Sequence, residues 1–190
     1  MTDEDLAVVL RAASLGDRDA WDRLVARFSG LVWAVVRSFR LDAEAAADVN
    51  QTTWLRLVEH LEDIRDPLRL GSWLATTARR ECIRAVRLAG RQLPTDQESR
   101  LDAAAPVEEV GEGILRLERD TALWRQFQTL SARCQQLLRV LMADPPPSYA
   151  EVGAALDMPI GSIGPVRARC LAALRAKLEQ VGILSAGTGS

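Results

Sequence analysis

Histidine is almost missing from this 190-residue chain: His60 stands alone, and Lys177 is the single lysine. Cys82, Cys134 and Cys170 are widely spaced and form no CxxC pair, so the ligand spacing of a zinc site is lacking. With one imidazole, no glycine-rich phosphate loop and no nucleophile beside a base, there is no starting point for catalysis. An enzyme is therefore not expected, nor a cofactor or a metal. The cysteines read instead as small buried residues of a reducing compartment. Aromatic residues make up only 5%, and the period-2 alternation of half-buried strands is scarce, which leaves an all-α protein. No apolar run is long enough to cross a bilayer and no signal peptide opens the chain. A cytoplasmic protein without a membrane partner is the expectation.

What the chain does have is a stretch whose shape and chemistry can be argued together, Ser148 to Leu178. Ser148 followed three residues later by Glu151 is a capping box that starts a helix, with Val152, Ala155 and Leu156 as its buried stripe. Asp157-Met158-Pro159-Ile160-Gly161 breaks the pattern and supplies a turn. Ser162 can cap a second helix, and Pro165 is tolerated near its start, where amides lack intrahelical acceptors. On a helical wheel Ile163, Cys170, Leu171, Leu174 and Leu178 share one side, opposite Ser162, Pro165, Val166 and Arg169. Arg167, Arg169, Arg175 and Lys177, with no acid between Gly161 and Leu178, give that helix a charge of plus four. A helix-turn-helix with a positive, slender second helix is suited to a DNA major groove. A helical hairpin with solvated arginines is the plainer alternative.

The net charge of −2 hides charged blocks of opposite sign. From Leu41 to Asp63 six acids face one arginine, giving minus five. From Arg65 to Arg91 seven arginines face two acids, giving plus five, and Gln92 to Glu112 again sums to minus five with six acids and one arginine. Several distinct electrostatic surfaces are expected. Apolar spacing predicts helices over residues 4–15, 17–40, 42–64 and 68–89, the second carrying Trp21, Leu24, Val25, Phe28, Leu31, Val32, Val35 and Val36 toward a core. On the third, Ala46, Ala47, Trp54, Leu57, Val58, Leu61 and Ile64 gather on one side and Asp48, Gln51, Thr52, Leu55 and Glu59 on the other. Leu55 is thus an apolar centre in a polar rim, which is how protein interfaces are built, although single exposed leucines are also common. On the fourth, Leu70, Leu74, Ala78, Cys82, Ala85 and Ala89 lie opposite a stripe of Trp73, Thr76, Thr77, Arg80, Arg84, Arg87 and Arg91. Arginines attract phosphates, hydroxyls bond phosphates or base edges, and an aromatic can stack on an unpaired base.

Residues 92–112 are acidic, rich in alanine and without apolar period, and read as a flexible linker. They divide the chain into a four-helix part, 1–91, and a helix-turn-helix part, 113–182, with 183–190 as a flexible tail. In the second part helices are expected over 115–130 and 131–143, with Leu117, Trp124, Phe127, Leu137, Leu138 and Leu141 in the core. Pro145-Pro146-Pro147 forms a stiff spacer ahead of the capping box.

Taken together these features resemble the extracytoplasmic-function (ECF) sigma factors of bacterial RNA polymerase, of the sigma-70 superfamily, over nearly the whole chain. Asp48-Val49-Asn50-Gln51-Thr52-Thr53-Trp54-Leu55-Arg56 is similar to that family's region 2.2, which docks on the beta-prime clamp of core polymerase. Gly71-Ser72-Trp73-Leu74-Ala75-Thr76-Thr77-Ala78-Arg79-Arg80-Glu81-Cys82 is similar to regions 2.3 and 2.4, which capture and open the minus-10 promoter element. Tyr149 to Leu156 and the helix from Gly161 resemble region 4, which reads the minus-35 element. The resemblance implies polymerase contacts, to the beta-prime clamp and the beta subunit, from Asp48, Gln51, Thr52, Leu55 and Glu59. It implies DNA contacts from Trp73, Thr76, Thr77, Arg79, Arg80, Arg84 and Arg87 in the first part and from Ser162, Pro165, Arg167 and Arg169 in the second. It also implies that the Asp63 to Leu70 loop receives a flipped base, that the acidic linker passes through the polymerase, and that an anti-sigma partner is a candidate. Gly164-Pro165-Val166 stand where relatives commonly carry Lys-Ser-Arg, so the promoter sequence does not transfer. A polymerase-independent regulator using only the helix-turn-helix, binding duplex DNA tightly by itself, is the principal rival; a pure protein-interaction module is a third.

Overall fold

The computed structural model describes residues 3–92 and 113–182, with side chains over 5–90 and 120–182. The expected tail and the linker after Gln92 lie outside what it describes, as do the side chains of Arg91 and Leu117. Every regular element among the described residues is helical. α1 (Asp3–Ser14) precedes α2 (Arg18–Ser38), whose first turn is capped by the Asp17 carboxylate accepting from the Ala20 amide. Asp42 caps α3 (Ala43–His60) in the same way through the Ala45 amide. A 3-10 turn at Leu61–Asp63 ends that helix, and a second at Pro67–Arg69 leads into α4 (Leu70–Gln92). Pro67 suits this position because its fixed φ fits a helical start and its missing N–H would have had no partner, while the Asp66 side chain accepts from the Leu68 amide.

Beyond the undescribed stretch come α5 (Gly113–Gln128), α6 (Ala132–Leu141), α7 (Tyr149–Leu156) and α8 (Ile160–Gln180). The capping box starting α7 is complete: Ser148 Oγ accepts from the Glu151 amide, and Glu151 Oε2 accepts from the Ser148 amide at 2.6 Å. Asp157 closes α7 in the left-handed region, φ 55 and ψ 51, a conformation that Asp and Asn tolerate better than most residues. The turn is shorter than the sequence suggests, because α8 already begins at Ile160. Ser162 consequently does not cap the helix; Pro159 holds that position, and Ser162 Oγ donates back to the Pro159 carbonyl at 2.7 Å. Pro165 therefore sits past the first turn, inside α8, where it leaves one carbonyl without its i+4 amide.

The core follows the wheels with instructive rotations. Leu24, Phe28, Leu31, Val32, Val35 and Val36 of α2 are buried, as are Leu70, Leu74, Ala78 and Cys82 of α4, whereas Ala89 is exposed. On α3 the buried line is Val49, Thr53, Leu57 and Leu61, and Val58 is 59% exposed. Thr53 fits the interior because its hydroxyl is spent on the Val49 carbonyl at 2.8 Å. One continuous apolar cluster takes in α1 to α4 and also Leu137, Val140, Val152, Ala155, Met158 and Ile163 from the other half. The two halves therefore share a core.

A smaller cluster, Phe127, Leu130, Leu138 and Cys170, holds the end of α5 against α6 and α8. Trp124, expected inside, is 47% exposed; it stacks on Phe127 at 5.2 Å, with the Arg139 guanidinium over both rings. Leu171 likewise is exposed.

Expecting three free buried thiols holds only for Cys82. Packing of α6 on α8 brings the Cα atoms of Cys134 and Cys170 to 5.4 Å, and the two are joined in a disulfide across 36 residues. Their distance in sequence concealed the pairing. Closing a loop of that length removes unfolded-state entropy worth about 3–4 kcal/mol, so reduction, or Cys134→Ser, lowers the melting temperature of the C-terminal helices. Cys82 behaves oppositely: burial pushes its thiol from 9.0 up to about 12. The folded state holds this proton where the unfolded chain has lost it, so stability falls as pH rises from about 9 to about 12. Thiol titration is expected to give no reactive groups in the folded oxidised protein, one after unfolding and three after unfolding with reductant. A fast-reacting thiol in the folded oxidised chain would contradict this arrangement.

Candidate nucleic-acid and polymerase interface

α3 presents two sides. Its buried line, Val49 to Leu61, faces the core, which leaves Asp48, Gln51, Leu55 and Glu59 exposed and Thr52 half-buried on the opposite arc. Leu55 is 54% exposed. Val58, assigned to the core by its wheel, flanks it on the exposed side, so the apolar centre is two side chains wide. The wheel placed Val58 wrongly because alanines dominate the first turns and pulled the apparent apolar direction away from Val49 and Thr53. Glu59 is engaged by Arg56, Nη1 to Oε2 at 2.7 Å, which holds its carboxylate at the rim.

The other side of this half carries a cleft of about 680 Å³ between the end of α3, the loop after it and α4. Trp73, Thr77, Arg80 and Glu81 line it from α4; Arg56 and His60 line it from α3; Asp63 to Asp66 and Arg69 line it from the loop. The Trp73 ring stands edge-on to the His60 imidazole at 6.2 Å and packs its other side on the core, so the indole is fixed before any ligand arrives. Four arginines face three carboxylates in this lining. The acids are largely occupied: Asp66 pairs with Arg69 at 3.2 Å, Asp63 with His60 at 3.1 Å, and Glu81 sits 3.9 Å from both Arg56 and Arg84. Arg65 and Arg80 have no ion-pair partner among the described residues, and both are exposed. A fixed aromatic wall, a hydroxyl and two uncommitted guanidinium groups suit a base with its phosphates.

Of the α4 residues expected to meet nucleic acid, Trp73, Thr77, Arg80, Arg84 and Arg87 share this face. Thr76 lies on the same side of α4, next to Arg87 on the wheel, but its hydroxyl donates to the Ser72 carbonyl at 2.8 Å. Arg79 is separated from the group: it leans toward α7 and pairs with Asp157 at 3.0 Å. Nothing in the sequence ties two residues 78 positions apart. On α8, Pro165 and Arg169 are exposed on one face with half-buried Ser162 and Val166. Arg167 is exposed too, but about 160° around the helix from Arg169, on the arc of Ile163 and Leu174. The loop residues Asp63, Ile64, Arg65 and Asp66 contribute to the cleft together with Arg56 and His60, which composition alone had not singled out.

Comparison with known proteins bears on both halves. The family model Sigma-70 region 2 matches residues 24–92, which is the span from α2 through α4 that carries both faces. No curated protein matches the sequence. Among solved structures, one titled "Structure of CnrH in complex with the cytosolic domain of CnrY" is similar in fold, with a TM-score of 0.57 and 23% identity, over 91% of this chain and 96% of that one. No helix among the described residues is long and apolar enough to cross a membrane, and no metal-binding cluster of His, Cys, Asp or Glu occurs among them.

Proposed function

We propose, from the premise that this chain belongs to the sigma-70 family, that it is an extracytoplasmic-function sigma factor that binds core RNA polymerase and directs transcription initiation. The observation that carries the reading is the coincidence of the region 2 match at residues 24–92 with two opposed faces of suitable chemistry. One is an apolar centre in an acidic rim, the other a cleft with a fixed tryptophan and free arginines. In this reading residues 1–91 are the polymerase-binding and minus-10 unit, 113–182 the minus-35 unit, and 92–112 the connection between them.

The division of labour follows from the chemistry. Leu55 and Val58, rimmed by Asp48, Gln51, Thr52 and Glu59, anchor the factor on the beta-prime clamp, since desolvated apolar centres supply most interface energy. Trp73 offers a stacking wall, while Thr77, Arg80, Arg84 and Arg87 hold the phosphates of the unwound minus-10 strand. A base flipped into the cleft costs a few kcal/mol of unstacking, which stacking returns at about 1–3 kcal/mol per base. The slender first turns of α8, with Pro165 and Arg169 outward, enter the minus-35 major groove, where phosphate contacts position and base edges specify. The factor performs no covalent chemistry; its work is recognition. An anti-sigma protein covering the polymerase face is a fitting regulator, and the cytoplasm is where such a factor meets polymerase.

The test is promoter-directed transcription with purified bacterial core polymerase. Wild-type protein is expected to co-elute with core and to start transcripts at a defined promoter class. Tight duplex binding by the free protein with no co-elution would instead make it a polymerase-independent regulator.

A further inference from the structure

The chain's single histidine stands in the cleft between α3 and α4, and the recognition roles assigned above make no use of it. His60 ends α3: at φ −118 and ψ 11 its backbone has already left the helix, and the 3-10 turn Leu61–Asp63 follows. Its Nδ1 lies 3.1 Å from Asp63 Oδ2, which ties the loop wall back to α3. Its ring also stands edge-on to the Trp73 indole of α4, at 6.2 Å between centroids and 61° between planes. One side chain thus joins the three sources of the lining, α3, the loop and α4. A solvated histidine favoured at a helix C-terminus by the helix dipole is the plainer reading. That reading does not account for the contact with Trp73.

Imidazole is the side chain whose charge ordinarily changes in the physiological pH range. With it neutral, the lining sets Arg56, Arg65, Arg69 and Arg80 against Asp63, Asp66 and Glu81, a net charge of plus one. A protonated ring makes it plus two. Asp63, the most exposed of the three carboxylates, is then answered by a cation instead of repelling an incoming phosphate. Of the other charges around the ring, Glu59 is committed to Arg56 at 2.7 Å and Glu62 sits beside Asp63 in the same turn; α1, which packs on both 3-10 turns, adds no lining residue. We propose that His60 is a positioning residue of this cleft: its imidazole holds the Trp73 ring and the Asp63 wall in place for an unpaired base, and its protonation strengthens the grip on that strand's phosphates. The proposal rests on the sigma-70 reading for the ligand, though not for the clamp itself. One added charge about 5 Å from a phosphate, screened by physiological salt, gives about a two- to four-fold gain in affinity.

Permanganate footprinting of open complexes, formed by the full chain with core polymerase at about pH 6 and about pH 8, tests the proposal. Each variant is scaled to wild type at the same pH, so the polymerase's own pH response cancels. His60→Gln keeps a donor for Asp63 but takes no charge; its shortfall is expected to be about two- to four-fold larger at the lower pH than at the higher. His60→Ala loses the bond as well and is expected to fall about three- to ten-fold below His60→Gln at both, so that glutamine restores position without charge. Because the chain has one histidine, its ring gives a single set of NMR signals. In the free protein these are expected to move in Trp73→Leu and in Asp63→Asn; should Trp73→Leu unfold, the exposed Asp63 site decides. A His60→Gln shortfall equal at the two pH values, a His60→Ala variant as active as His60→Gln, or ring signals unmoved by either substitution would each overturn the proposal. Failure of wild type to co-elute with core at either pH would instead count against the sigma-70 reading, and the ring signals would still decide the clamp.

Discussion

Leu55→Asp is expected to abolish co-elution with core polymerase and to leave the melting curve of the free chain unchanged. The second half of that result follows from exposure: Leu55 is 54% exposed, on the arc of α3 opposite Val49, Thr53 and Leu57, so the substitution removes no core contact. It sits within a helix whose start is capped by Asp42, thirteen residues away. The first half follows from interface energetics. A central apolar anchor is worth about 2–4 kcal/mol when truncated, or roughly 30- to 1,000-fold in dissociation constant, and an aspartate adds the cost of desolvating an unpaired charge. The control is Leu57→Ala two residues on. Leu57 is fully buried, so it should lose about 2–5 kcal/mol of stability and reduce core binding only through unfolding. If Leu55→Asp bound core with wild-type affinity, the polar arc of α3 would be a solvated surface, and the polymerase face would have to be sought elsewhere.

The reasons for reading α3 this way also mark where sequence reasoning stops. Capping signals are local, so the Ser148–Glu151 box was legible, and the helices opening at Asp17 and Asp42 were placed within a few residues, although the cap at Asp17 itself was not foreseen. Periodicity placed the buried side of α2, where bulky residues dominate, and of the first three turns of α4, where Leu70 and Leu74 anchor it, while Ala89 near its end is exposed. It failed on α3, where alanines carry little directional information, and Val58 was placed inside. On α8 the start was displaced by three residues because Ser162 has cap chemistry, yet Pro159 provides the rigid entry. The features that were illegible are those that depend on one half meeting the other. Arg79 looks from its neighbours like a member of the basic stripe, but Asp157, 78 residues away, holds it. Gly30 and Gly71 have no local turn to make; they are required by a carbonyl and a carboxylate arriving from the other half. The Cys134–Cys170 bond lies within the second half, but it too joins residues far apart in sequence. Long-range pairing of this kind leaves no period in a single sequence, and so these contacts emerged only from the fold, whereas the Asp63 to Leu70 loop of the cleft was already named by resemblance.

Arg80→Ala with Arg84→Ala is expected to leave core binding intact and to cripple promoter opening. Neither side chain takes part in the core of the molecule, and both are exposed on the cleft side of α4. Arg80 has no ion-pair partner among the described residues, and Arg84 only approaches Glu81 at 3.9 Å, an exposed contact that contributes little to stability. Folding should therefore be unchanged, and since α3 presents Leu55 and Val58 from the other side, so should polymerase affinity. What is lost is attraction to phosphates. Each contact releases condensed counterions, so removing two should make the slope of log affinity against log salt shallower by about 1.4–1.8. At low salt the loss in open-complex formation, measured by permanganate footprinting of the melted strand, should be roughly 10- to 100-fold, at about 0.7–1.4 kcal/mol for each contact. Thr77→Ala is the informative companion, because a hydroxyl removed from the same face changes opening without changing the salt slope. A double arginine variant that opens promoters with an unaltered salt slope would remove nucleic acid from this cleft and leave the basic side of α4 as a solvated surface.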